Sequence, residues 1–91
     1  MPAISAGDIV GIRCTVQPGP FSEERLVSFD ATDGSVSGFV NETELKRVGD
    51  MWLVRAIVQS VHEDVLEVFV RGSFFTTNGL ASVQRSYAMA A

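Results

Sequence analysis

The sequence predicts a small all-β barrel of five strands with one short connector helix. Apolar and polar residues alternate with a period of two over several segments, and turn-forming residues separate these segments. Only one run of strong helix formers occurs. The chain has 91 residues, which is room for one hydrophobic core, so we expect a single barrel domain over residues 1–86.

The first three strands are predicted in the N-terminal half of the chain. Residues 8–16 (DIVGIRCTV) alternate strictly, and a loop follows because residues 17–24 contain two prolines and a glycine, which strand ladders exclude. Residues 25–31 and 35–41 form a hairpin across the turn Thr-Asp-Gly. A glycine inside the third strand indicates a bulge or a sharp bend, as occurs where small barrels turn a corner.

The second half of the sequence supplies the connector helix and the last two strands. Residues 42–48 (ETELKRV) contain strong helix formers and end at Gly49, which predicts a helix of barely two turns. Residues 51–62 and 65–71 form the clearest hairpin, with a Glu-Asp turn between them. Residues 72–91 read as a sixth strand or an ordered tail.

The pattern also predicts which residues form the core and where order ends. Residues 87–91 carry no charge or turn signal, so we expect a disordered C-terminal tail there. The predicted core consists of Val10, Ile12, Val16, Val27, Phe29, Val40, Val54, Val58, Leu66, Val68 and Val70.

Composition limits the classes of function. With 7 basic and 11 acidic residues, the formal net charge is -4, which argues against strong non-specific attraction to phosphate. A single cysteine favours a reducing compartment, and we expect a cytoplasmic protein. No apolar stretch is long enough to cross a bilayer, and the first residues do not read as an export signal, so we expect no membrane partner.

Signatures of enzymes are missing from the sequence. Cys14 lies on the predicted inward face and His62 at a hairpin turn, so they do not form a catalytic pair. His62, Glu63 and Asp64 are consecutive and diverge along a turn, whereas a metal site needs convergent ligands. We therefore predict no catalytic activity, no metal and no cofactor.

Outward-facing aromatic and basic residues point to binding instead. Phe21 lies in the first loop, and Phe39 and Phe69 point away from their apolar neighbours, which would form a stacking platform for single-stranded nucleic acid. By the same alternation, three arginines that could contact phosphates point outward, namely Arg13, Arg55 and Arg71. The alternative is that these aromatic residues are core or cover the barrel ends.

Four short motifs resemble a known RNA-binding family. Residues 38–45 (Gly-Phe-Val-Asn-Glu-Thr-Glu-Leu) resemble, without a gap, the Gly-Leu-Val-His-Ile-Ser-Glu-Leu segment of the RNA-binding domain named after ribosomal protein S-one. Residues 46–50 (Lys-Arg-Val-Gly-Asp) are similar to its Lys-Val-Gly-Asp, residues 7–10 to its opening Gly-Asp-Val-Val, and residues 19–21 to its Gly-Ala-Phe. The resemblance spans about residues 7–71.

The resemblance implies an oligonucleotide-binding (OB) barrel whose second and third strands present aromatic and polar side chains to RNA. Matched residue by residue, it points to Phe21, Phe39 and Asn41, with Arg71 as a backbone contact. Asn41 stands where the family usually has histidine. The SH3-like barrel remains the alternative fold, because it would give much the same string of strands and turns.

Two hypotheses of function result. The first is a non-catalytic module that binds single-stranded RNA. The second is a protein-interaction or assembly module, in which an acidic face meets a basic partner and the segment from Phe74 to Tyr87 pairs with another chain or forms a homodimer. The acidic face would consist of Glu23, Glu24, Glu42 and Glu44.

Overall fold

The computed structural model describes residues 3–75 and 77–90, and these residues form an all-β fold. In this part of the chain, nine strands form one antiparallel sheet. The strands are β1 (Ile9–Pro18), β2 (Glu24–Ala31), β3 (Gly34–Asn41), β4 (Leu45–Val48), β5 (Met51–His62), β6 (Val65–Phe69), β7 (Ser73–Phe74), β8 (Leu80–Gln84) and β9 (Ala88–Ala90). Two short 3₁₀ helices, Glu42–Glu44 and Arg85–Tyr87, complete the structure.

The sheet curls into a half-barrel around β1. The first part of β1, from Ile9 to Cys14, pairs with β5, while its last part pairs with β2. The strand order is β7-β3-β2-β1-β5-β6-β8, with β4 added to β5 and β9 added to β1. At the open side, the Thr32 N–H donates to the Ser82 carbonyl over 2.8 Å, which ties the end of β2 to β8.

The all-β prediction is confirmed, but the structure has nine strands where the sequence predicts five. The additional strands are β4, β7, β8 and β9, each with two to five residues. Such short segments contain too few residues to show a period of two, so tertiary pairing rather than local pattern defines them.

The core lies on the concave side of the sheet and agrees closely with the prediction. All predicted core residues are buried except Val16, which is half-buried and packs against the core. The structure adds four buried residues to the predicted set: Val36, Leu53, Ala56 and Val83. Leu53 is buried although it points outward, because it fills the space above Gly11, where a Cβ atom would lie 2.9 Å from the Leu53 Cβ.

The predicted helix over residues 42–48 is wrong beyond Glu44. Only Glu42–Glu44 are helical, and Leu45–Val48 form β4, which pairs with β5. Gly49, with φ of +62°, makes the tight turn between the two strands. Pairing with β5 outweighs the helix propensity of this segment, because a helix of barely two turns is unstable by itself.

The C-terminal part of the chain differs from the expected disorder. Residues 88–90 form β9, which pairs with Val10–Ile12, while residue 91 lies outside the described residues. Backbone hydrogen bonds to β1 hold these residues in place, and such bonds need no side-chain pattern.

None of the helices among the described residues has the length and hydropathy needed to cross a membrane.

Candidate functional site

The outward side of β1, β2 and β3 carries Arg13, Phe39 and Asn41, three of the six residues that the sequence predicts to bind nucleic acid. On β3, Val36 and Val40 are buried, so Ser37 and Phe39 point to the opposite side. The strand register places Leu26 opposite Phe39. We call this surface the β2–β3 face, and it consists of Thr15, Leu26, Ser28, Ser37, Phe39 and Phe75.

An aromatic pair forms the apolar part of the β2–β3 face. The rings of Phe39 and Phe75 meet edge to face, with centroids 5.6 Å apart and an angle of 76° between their planes. The Phe75 N–H donates to the Ser37 carbonyl over 3.1 Å, which fixes the backbone beside β3. Phe75 is 64% exposed, so its ring is open to a ligand.

Gly38 allows β7 to approach β3 closely enough for this pair to form. A Cβ atom on Gly38 would lie 2.5 Å from both the Phe74 ring and the Ser73 carbonyl oxygen. Phe74 points inward and packs edge to face on buried Phe29, at 6.2 Å between centroids. Since neighbouring residues point to opposite sides, the inward position of Phe74 directs Phe75 outward.

Hydroxyl groups form the polar part of the β2–β3 face. The side chains of Ser28 and Ser37 share a hydrogen bond of 2.7 Å across the two strands. The Thr15 hydroxyl donates to the Ser28 carbonyl over 3.4 Å. These groups can donate to or accept from bases and sugars, so the face combines aromatic surface with hydrogen-bonding capacity.

Phe21 lies in the loop between β1 and β2 and is 71% exposed. The Arg25 guanidinium holds this loop by donating to the carbonyls of Ser22 and Glu24, over 2.8 and 2.9 Å. It also forms an ion pair of 2.9 Å with the Glu42 carboxylate. The loop is thereby fixed beside the end of β3, where Asn41 lies.

Asn41 serves as the cap of the first 3₁₀ helix. Its Oδ1 accepts from the Thr43 N–H and from the Thr43 hydroxyl, both at 2.9 Å. Both bonds use the oxygen, which leaves the side-chain amino group as the donor that a ligand could use. The structure thus gives Asn41 a local role that does not compete with ligand binding.

Arg13 lies at the other end of the β2–β3 face. Its guanidinium lies over the Tyr87 ring, 5.9 Å from the centroid, which is cation–π distance. Both residues line an open groove of about 550 Å³ together with Asp30 and Ser35. The groove occurs where the partner of β1 changes from β2 to β9.

Arg55 and Arg71 lie in a different groove from the residues above. They line a groove of about 100 Å³ with Phe69, and none of Phe21, Phe39, Asn41 and Arg13 contributes to its lining. An Arg71 nitrogen is 3.8 Å from a Glu44 carboxylate oxygen. The six predicted binding residues therefore divide into two groups.

Two of the four carboxylates of the expected acidic face lie within ion-pair distance of arginines of this chain. Glu42 pairs with Arg25, and Glu44 faces Arg71 with only 12% of its side chain exposed. Within the segment from Phe74 to Tyr87, which was expected to pair with another chain, β7 pairs with β3 and β8 pairs with β6.

Two residues have nucleophilic or metal-binding potential: Cys14, which lines the same groove as Arg13, and His62, at the end of β5. Burial raises the pKa of the Cys14 thiol from 9.0 to about 11. His62 contacts the Ser60 hydroxyl and the Glu67 carboxylate, both at 3.2 Å. Among the residues that the structure describes, no group of three or more His, Cys, Asp and Glu side chains could hold a metal ion.

The sequence-based prediction missed six residues of the site: Thr15, Leu26, Ser28, Ser37, Phe75 and Tyr87. The paired Phe74 and Phe75 after a glycine are a signal that could have been used, since one of two consecutive residues in an extended segment must face outward. Tyr87 gave no such signal, because it reaches Arg13 only through the pairing of β9 with β1.

Comparisons with protein-family models, curated proteins and solved structures give no match for this chain.

Proposed function

We propose that the chain is a non-catalytic module that binds single-stranded RNA on the β2–β3 face. The observation that carries this proposal is the edge-to-face pair of Phe39 and Phe75, with an exposed ring beside hydroxyl groups. Proteins that bind single strands combine aromatic side chains, on which bases stack, with polar groups that contact base edges and the backbone.

Two residues of the face, and three residues beside it, have assigned roles in this proposal. One base stacks on Phe75, supported by Phe39 from behind, and another stacks on Phe21 in the neighbouring loop. The Asn41 amino group donates to a base edge between them. Arg13 contacts a phosphate while remaining over the Tyr87 ring.

The charge of the chain determines whether phosphate contacts or base stacking contributes more to the affinity for RNA. Arg13 lines the groove at the end of the β2–β3 face together with Asp30, while Arg25, which lies on β2, is paired with the Glu42 carboxylate. If one phosphate is neutralised, the logarithm of the association constant falls with the logarithm of the salt concentration with a slope of only about -0.7. Stacking, at about 1 to 3 kcal/mol for each base, therefore supplies most of the binding free energy.

We also propose that β1, β2, β3, β5 and β6 are the five strands of an OB-type barrel, to which four short strands are added. The division of β1 between β2 and β5 supports this assignment. In OB folds, the face formed by the second and third strands binds oligonucleotides, and this is the surface that carries Phe39. The motif resemblance to the S-one type of RNA-binding domain points to the same strands.

The proposal is tested by fluorescence anisotropy with a labelled single-stranded RNA of mixed sequence. Phe75→Ala removes an exposed ring, so we expect the fold to persist and the affinity to fall about 5- to 150-fold, equivalent to 1 to 3 kcal/mol. Leu80→Ala is the matched control, because Leu80 is 54% exposed and lies on β8, outside this face. Equal loss of affinity in both variants would contradict the proposed face.

A further inference from the structure

A second outward surface contains a row of four apolar side chains. The strand register places Ile9 opposite Ile57, Ile57 opposite Phe69, and Phe69 opposite Leu80. The row crosses β1, β5, β6 and β8, so at about 4.8 Å for each strand spacing it is about 14 Å long. We call this row the apolar stripe.

Both ends of the apolar stripe are open to solvent. Ile9 is 50% exposed and Leu80 is 54% exposed, while Ile57 and Phe69 between them are half-buried. Large apolar side chains opposite one another on neighbouring strands form a continuous apolar patch, and such patches on small proteins commonly mark interaction sites. The stripe lies outside the β2–β3 face and shares no residue with it.

Basic residues are concentrated beside the stripe although the chain is acidic. Two grooves, of about 100 and 140 Å³, contain three of the seven basic residues of the chain: Arg55, Arg71 and Lys46. Among the described residues that line them, Glu44 is the one carboxylate, and 77% of the Arg71 side chain remains exposed beside it. The part of the stripe around Ile9 and Ile57 therefore lies beside charge of the opposite sign to the net charge of the chain, which is -4, whereas Asp33 and Glu67 line the groove at Leu80.

We propose that the apolar stripe binds a protein segment that combines leucine or isoleucine side chains with flanking aspartate or glutamate. Apolar side chains of the partner would cover Ile9, Ile57 and Leu80, and its carboxylates would pair with Arg55 and Arg71. Interfaces of this kind gain specificity from charge complementarity at the rim and affinity from the apolar centre. This inference is independent of the proposed RNA binding.

The composition of the stripe favours a peptide over RNA. Ile9, Ile57 and Leu80 offer no planar ring on which a base could stack. The ring of Phe69 is covered by Gly79, where a Cβ atom would lie 2.9 Å from the Phe69 Cε1. Without stacking, RNA would depend on the basic residues alone, whereas a peptide uses both the stripe and the charges.

The experiment is an NMR titration of labelled protein with a short synthetic peptide that has leucine at every third or fourth position and glutamate elsewhere. We expect amide shifts that cluster on Ile9, Ile57, Phe69 and Leu80. A matched peptide with glutamine in place of glutamate should bind about tenfold more weakly, because it lacks the ion pairs. Equal binding of the two peptides, shifts elsewhere, or no binding at millimolar peptide would overturn the proposal.

Substitutions separate the apolar part of peptide binding from the part that depends on charge. Leu80→Ser changes an exposed side chain and should weaken the binding of both peptides, while the double variant Arg55→Gln with Arg71→Gln should weaken only the glutamate peptide. Arg47→Gln with Arg85→Gln is the charge-matched control, because it also removes two positive charges and neither residue lines the two grooves.

Two further outcomes would assign the stripe to another occupant. If single-stranded RNA displaced the peptide and shifted the same four amide signals, this surface would bind nucleic acid. A dimer in sedimentation analysis that Leu80→Ser converts to a monomer would show that a second copy of the chain covers it. Either outcome would overturn the proposed peptide site.

Discussion

Phe39 and Phe75 meet edge to face at 5.6 Å, although one lies on a central strand and the other follows a strand of two residues. The contact exists because Gly38 lets β7 pair with β3 at Gly38 and Phe39. The exposed aromatic surface therefore depends on Gly38, a residue without a side chain. Substitutions can separate the contribution of the two rings to RNA binding from their contribution to the stability of the fold.

Replacing Phe39 should separate stacking from packing. We expect Phe39→Leu to keep most of the apolar contact with Leu26 and Phe75, so the melting temperature should change little. The affinity for single-stranded RNA should nevertheless fall by about 1 to 3 kcal/mol, because leucine has no ring face. Thermal melting and anisotropy titration measure the two effects, and unchanged affinity would remove Phe39 from the site.

Asn41 combines a capping oxygen with a free amino group, so two variants distinguish its roles. Asn41→Ala loses both hydrogen bonds to Thr43, and we expect the free energy of unfolding to fall by about 1 kcal/mol. Asn41→Ser keeps a capping oxygen and should retain near-normal stability in chemical denaturation, yet bind RNA more weakly because the amino donor is gone. RNA affinity equal to that of the unaltered protein in Asn41→Ser would exclude the proposed donor role.

Gly38→Ala should push β7 away from β3. The added methyl group would overlap the Phe74 ring and the Ser73 carbonyl, so we expect a loss of about 1 to 3 kcal/mol in unfolding free energy and weaker RNA binding. Ser35→Ala is the control, since Ser35 is an exposed residue of the same strand. Denaturation curves that coincide for the two variants would contradict the close approach of the strands.

Cys14 should be a poor nucleophile at neutral pH. Its pKa is raised to about 11 by burial, so at pH 8 its thiolate fraction is about a hundredfold lower than that of an exposed thiol with pKa 9.0. Alkylation by iodoacetamide should therefore be slow in the folded protein and fast in guanidinium. Rapid alkylation of the folded protein at pH 8 would contradict the burial of this thiol.

The same shift predicts how stability depends on pH. Because the folded-state pKa lies above the unfolded value, the contribution of Cys14 is fully present below about pH 9 and is lost as the pH rises towards 11. Cys14→Ala should lack this decline, because alanine does not ionise. The unfolding free energy of the unaltered protein, measured relative to that of Cys14→Ala, should therefore fall over that pH range. A constant difference from pH 8 to 11 would argue against the linkage.

The sequence was most informative where strands are long and half-buried. The alternation in β1, β2, β3, β5 and β6 predicts both the strands and nearly the whole core, because period two records burial on one side. The alternation fails to predict Leu45–Val48, which contain helix formers but form a strand because they pair with β5. It also fails to predict Ala88–Ala90, which backbone hydrogen bonds hold against β1.

The candidate site was predictable only in part. Phe39 follows from the parity of a single strand, Phe21 from its place in a loop, and Asn41 from the motif resemblance alone. Phe75 and Tyr87 depend on contacts between distant segments, which a local pattern does not contain. The division of the arginines, with Arg13 beside Tyr87 and Arg55 and Arg71 beside the apolar stripe, is likewise a product of the sheet curvature.

The most direct test of the central claim is an NMR titration of the labelled protein with a pool of short single-stranded RNAs, at low and at physiological salt. Binding on the β2–β3 face predicts amide shifts at Phe21, Ser37, Phe39, Asn41 and Phe75, with an affinity that falls only shallowly with salt because few phosphates are neutralised. An absence of shifts at low salt, or shifts confined to Arg55 and Arg71 with a steep salt dependence, would contradict the account.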